Sequence, residues 1–149
     1  MNFTSFLTKL QALQNAISIT SPVAMSVKRS YWGAPQEELN DLPCVINALT
    51  ETDRMLGFGT RDQNLRINVQ LFVAKATVEN ERASLMATAF WYAAKDAFDS
   101  DITIGGEVSL STLRGAEPTV PVILVHGGQS YIGFNAYLDV RDAENFTFG

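Results

Sequence analysis

The sequence predicts an α+β domain, a mainly antiparallel β-sheet with two helices packed on one of its faces. Three observations lead there. Apolar residues recur at helical spacing near the N-terminus and again around residues 83–97. They alternate one by one around residues 65–73 and 132–140. The order runs helix, strands, helix, strands, without the sustained strand–helix alternation that builds a parallel sheet.

Phe3, Phe6, Leu7, Leu10, Leu13 and Ile17 form the first apolar stripe, with Lys9, Gln11 and Gln14 between them. Asn2 suits an N-cap, because its side-chain oxygen can accept from an unpaired N–H of the first turn. A helix is therefore expected from about Asn2 to Ile17, with Ser21-Pro22 beyond its end. Val23, Met25 and Val27 alternate with Ala24, Ser26 and Lys28, which predicts a strand over 23–32. Gly33-Ala34-Pro35 breaks it, and Gln36 to Asp41 reads as a polar loop. Leu42 to Leu49 reads as a short buried strand entered through Pro43, a position where proline sacrifices no ladder bond. Residues 50–64, around Arg54-Met55-Leu56-Gly57-Phe58-Gly59, are polar and carry glycine, and are expected to form a long loop.

Leu65, Ile67, Val69, Leu71 and Val73 then share one side of a strand opposite Arg66, Asn68 and Gln70, with Phe72 interrupting the polar side. A second helix opens at Thr77 or Asn80. Ala83, Met86, Ala87, Phe90, Ala94 and Ala97 mark its buried side, and the alanines imply close approach to a neighbour. Asp99-Ser100-Asp101 ends it. Ile102–Ile104 and Glu107–Leu113 read as strand pieces around Gly105-Gly106, and Val120 to Val125 is apolar throughout. Ile132, Phe134, Ala136, Leu138 and Val140 alternate with Tyr131, Asn135, Tyr137, Asp139 and Arg141 in a last strand, joined to its predecessor through Gly127-Gly128-Gln129-Ser130 as a hairpin. Neither an internal repeat nor a domain boundary is visible, so residues 1–149 are expected to form a single domain.

The 149 residues are 46% hydrophobic and 10% aromatic, enough for a core that buries about 70% of the unfolded surface. Lys and Arg number 11 against 16 Asp and Glu, a net charge of −5. Free binding to nucleic acid or to an anionic membrane would want clustered basic residues, and here they are scattered. The N-terminal Met1-Asn2-Phe3-Thr4-Ser5-Phe6 has neither the basic nor the long apolar region of a secretion signal, and no apolar run reaches the roughly 18 residues of a spanning helix. Cys44, the single cysteine, fits core packing in a reducing compartment.

The sequence offers little chemistry. His126, the only histidine, could act as a base near neutral pH, but no cysteine, serine or carboxylate stands with it in sequence. One Cys and one His cannot make a zinc site. Asp96, Asp99 and Asp101 are spaced somewhat like a calcium loop, without its glycine or its closing glutamate, and read as a helix-end turn. Gly57-Phe58-Gly59 and Gly105-Gly106 match neither a phosphate-binding loop nor a dinucleotide fingerprint. No catalytic residue, metal or cofactor is expected.

Surfaces are more informative. Arg54, Met55, Leu56, Phe58 and Arg61 combine apolar residues with flanking arginines, a composition enriched at interface cores. Phe146 and Phe148 put two aromatics where a solvated tail needs none. These seven residues are the candidate interface; the alternative is that both segments pack back on their own domain.

The order of elements resembles that of the tail terminator and neck proteins of long-tailed phages. Four features carry the resemblance: the N-terminal amphipathic helix; Leu42-Pro43-Cys44-Val45 entering a strand; the strand-then-helix from Leu65 through Phe98; and the closing Tyr131-Ile132-Gly133-Phe134-Asn135-Ala136-Tyr137-Leu138-Asp139-Val140. The resemblance implies helices on a curved antiparallel sheet and a virion protein assembled in the host cytoplasm. It implies a homohexameric ring that caps the head-proximal end of the tail tube, ends tube growth and docks to the head–tail connector. DNA would pass through the bore of such a ring, which an acidic subunit favours by not adhering. The alternative is a non-viral α+β module that binds a ligand or a protein.

Overall fold

The computed structural model describes residues 2–57 and 60–143, and the side chains of residues 2–50 and 63–143. The elements run α1 (Phe3–Asn15), β1 (Ser18–Ile19), β2 (Met25–Ser26), β3 (Arg29–Trp32), β4 (Cys44–Gly57), β5 (Thr60–Lys75), α2 (Glu81–Ser100), β6 (Leu110–Gly115), β7 (Val122–His126) and β8 (Gln129–Asp142). The main sheet has the order β3-β4-β5-β8-β6, and β7 pairs with β8 on the same side as β6. Only β3 and β4 run parallel; every other pairing in the sheet is antiparallel. The chain is an α+β domain, as the periodicities predict.

Both helices lie over one face. The Asn2 side chain accepts from the Ser5 N–H at 3.1 Å and starts α1, which buries Phe6, Leu10 and Gln14 at four-residue spacing. α2 buries Met86, Ala87, Phe90, Ala94 and Phe98 against Leu65, Ile67, Val69 and Leu71 of β5 and Phe134, Ala136 and Leu138 of β8. The small Ala87 and Ala94 let this helix sit close to the sheet, and Trp91 meets the Phe134 ring edge-on at 5.3 Å.

The β7–β8 hairpin turns through Gly127 and Gly128 alone, since His126 already pairs with Gln129. Their φ angles of 59° and 77° suit the mirror-image turn that matches strand twist, and glycine adopts them without strain. Gly133 answers a different need. A Cβ there would lie 1.7 Å from the Leu71 carbonyl oxygen, beside the irregularity between Phe72 and Ala74.

Three expectations are corrected. The predicted strand over 23–32 is two short strands, β2 and β3, in different sheets. The segment Ile102–Ile104 is a turn: the Asp101 carboxylate accepts the Gly105 N–H, and buried Ile104 has φ 50°. Residues 50–57 and 60–64 are strand, where a loop is expected. β4 and β5 continue as a hairpin, register unbroken from Glu51↔Arg66 to Gly57↔Thr60.

Candidate functional site

The second face of the sheet carries a smaller core. Cys44 and Ile46 of β4, Phe72 of β5, Leu124 of β7 and Tyr131 of β8 meet there, covered by Leu39. The polar loop 36–41 is exposed except at Leu39, which it lays over this core, and Phe72, which breaks the polar pattern of β5, is one of the residues beneath it. Lys75 holds Glu38 at 2.5 Å, which lowers the Glu38 carboxyl and raises the Lys75 ammonium from their ordinary values. His126 is spent on the same cover. Its Nε2 lies 2.9 Å from the Glu37 carbonyl oxygen, which can only accept, so Nε2 carries the proton.

Burial pushes the Cys44 thiol up to about 12, with Asp41 adding to the effect. The thiolate, the reactive form, is therefore disfavoured. Asp99 pairs with Lys95 at 3.6 Å, and Asp101 caps its turn. Among the described residues, no group of three or more His, Cys, Asp and Glu is placed to hold a metal ion, and no helix is long and apolar enough to cross a membrane.

The rest of this second face is polar and pre-paired. Asp139 of β8 receives Arg66 of β5 at 2.8 Å and Arg114 of β6 at 3.1 Å. The Arg66 guanidinium also stands 5.1 Å over the Tyr137 ring, and Asn68 donates to the Asn135 side chain at 2.8 Å. A shallow groove of about 330 Å³ runs along β8 between Arg66 and Thr112. Arg66 and Asp139, which line it, are already paired with each other, and Leu65, Leu110 and Val140 add apolar surface.

The candidate interface residues divide in two. Phe58, Phe146 and Phe148 lie outside the described residues. Arg54, Met55, Leu56 and Arg61 have described backbones, which place them in the outer part of the β4–β5 hairpin, while their side chains lie outside the described set. β3 accompanies β4 only to Trp32↔Asn47, and β8 accompanies β5 only from Gln63↔Asp142. Among the described residues, β4 is therefore an edge strand over 48–57, roughly 30 Å of backbone at 3.4 Å per residue. The pairs Met55↔Asp62 to Gly57↔Thr60 have no third strand among the described residues.

Sequence reasoning missed one surface. Val120–Val125 is continuously apolar, the usual mark of a strand buried on both faces, yet Ile123 and Val125 of β7 are 61% and 69% exposed. The signal was present but points two ways, because an unbroken apolar run also describes an edge strand that another chain covers. No protein-family model matches the sequence, and no curated protein matches it.

Proposed function

We propose that this chain is a structural protein of a long-tailed phage virion, a tail terminator or close neck relative. Six copies form a ring on the head-proximal end of the tail tube, stop further tube growth and offer a docking face to the head–tail connector. The role is steric and interfacial, without catalysis or a cofactor.

The observation that supports this reading is the outer part of the β4–β5 hairpin, which has no third strand beside it among the described residues. An isolated two-stranded ribbon is marginal in water, and a bare strand edge invites pairing. A sequence that keeps Arg54, Met55, Leu56 and Arg61 on such an element is equipped to meet a partner. A closed ring needs a heterologous contact, one patch against a different patch on the next copy. The hairpin supplies a protruding patch, and the rest of the subunit the receiving one. A net charge of −5 suits a bore through which DNA must slide.

The test is genetic. Removing the gene from the genome that carries it and imaging the lysate should give tailless heads beside tubes of unregulated length. Normal tails of uniform length, joined to heads, would overturn the proposal.

A further inference from the structure

The strand edges of this sheet are not treated alike. On β6, the Leu113 carbonyl accepts the Lys95 ammonium at 2.7 Å, and the Ser111 N–H donates to the Ile102 carbonyl at 2.7 Å. On β3, the Ser30 carbonyl accepts the Gln11 amide from α1. These are the usual protections of an edge, a lysine or a covering segment over outward backbone groups.

Among the described residues, β7 has none of these. Its pairing with β8 is fixed by the tight turn, so His126, Leu124 and Val122 form the hydrogen-bonded pairs with β8, and Ile123 and Val125 aim their N–H and C=O groups outward. The same two residues carry the exposed side chains, 61% and 69%, on the face opposite buried Leu124. Val78, ahead of α2, and Leu85, in its first turns, are also exposed, and a depression of about 220 Å³ runs from Asn80 and Ser84 to Ile123.

We infer that the outer edge of β7 pairs antiparallel with β7 of a second copy about a twofold axis through Leu124. The edge is complementary to itself. A twofold there sets Ile123 opposite Val125 of the other copy, twice, in hydrogen-bonded pairs that use all the outward backbone groups of both residues. The four apolar side chains then lie side by side on one face, with no charge brought against charge. Such an isologous contact closes after two copies. It is independent of the head-to-tail contact proposed for the ring, and the two can coexist.

Cysteine cross-linking reads this register directly. Opposed residues in a hydrogen-bonded pair have Cα atoms about 5.5 Å apart, within disulfide reach, whereas Val125 and its own copy would be about 8 Å apart, beyond it. An equimolar mixture of I123C and V125C should therefore cross-link under mild oxidation several-fold more than either variant alone. Cys44 is buried and does not compete. Two further variants separate pairing from folding. V125P removes an outward N–H without touching the β7–β8 ladder, and I123K/V125K installs the missing guards. Both should keep the wild-type fold by circular dichroism and lose the twofold pair in sedimentation. Equal cross-linking of V125C alone, or a pair that survives both variants, would overturn the inference.

Discussion

Gln14 of α1 and Asn47 of β4 exchange two amide hydrogen bonds, 2.7 and 2.8 Å long, and both side chains are fully buried. Asn47 also donates to the Tyr31 carbonyl at 3.0 Å. The pair fixes the helix to the sheet where β3 ends and β4 becomes an edge. Truncating either member leaves the other's amide buried without its partner, at a cost of about 1–3 kcal/mol. Chemical denaturation of Q14A, N47A and the double variant should show this, with the double variant losing less than the sum of the singles. Strict additivity would mean that the two amides do not act together.

Gly133 should tolerate no side chain. Alanine would drive its Cβ into the Leu71 carbonyl, and backbone cannot rotate aside as a side chain can. G133A is expected to cost on the order of 3 kcal/mol or more, seen as a lowered denaturation midpoint. A midpoint within error of the wild type would show that β5 and β8 approach less closely than described.

Tyr131 is buried among Phe72 and Leu124, and its hydroxyl has no hydrogen-bond partner among the described residues. An unsatisfied buried hydroxyl is a cost, so Y131F should be neutral or stabilising by about 1 kcal/mol. A clear loss of stability would reveal a partner for that oxygen.

The Cys44 thiol ionises at about 12 in the folded chain against 9.0 ordinarily, because burial disfavours the thiolate. Below pH 9 both states are neutral and the group's contribution is fully present. As pH climbs from about 9 towards 12 the unfolded thiol ionises first, and that stability is lost. Wild type should therefore lose stability relative to C44A over this window, and a thiol reagent at pH 8 should label Cys44 only as the chain unfolds. Rapid labelling of the native protein would contradict the burial.

The elements with a strong period were legible in the sequence. β5 and β8 alternate because one face packs on helices, and α1 and α2 carry stripes because each buries a single side. Gln14 and Leu39 were not legible. Each is buried by a contact distant in sequence, Gln14 by Asn47 and Leu39 by Phe72 and Tyr131, and local composition reports only polarity. The outer hairpin was mistaken for a loop for a related reason. Glu51-Thr52-Asp53-Arg54 shows no alternation, because alternation marks a strand with one face on a core, and here β4 has passed the end of β3. Of the candidate interface, the backbones of Arg54, Met55, Leu56 and Arg61 lie in a hairpin where the sequence predicts a loop, whereas the β7 edge is hidden inside an apolar run that reads as core.

A ring closed by head-to-tail contacts has a fixed number of copies, which the mass of the assembly in solution reads out. I123K/V125K removes the twofold edge from consideration, and native mass spectrometry of that variant up to several hundred micromolar should reveal a six-copy species. A variant that stays monomeric across the whole range, or that forms open-ended chains of no fixed number, would contradict it.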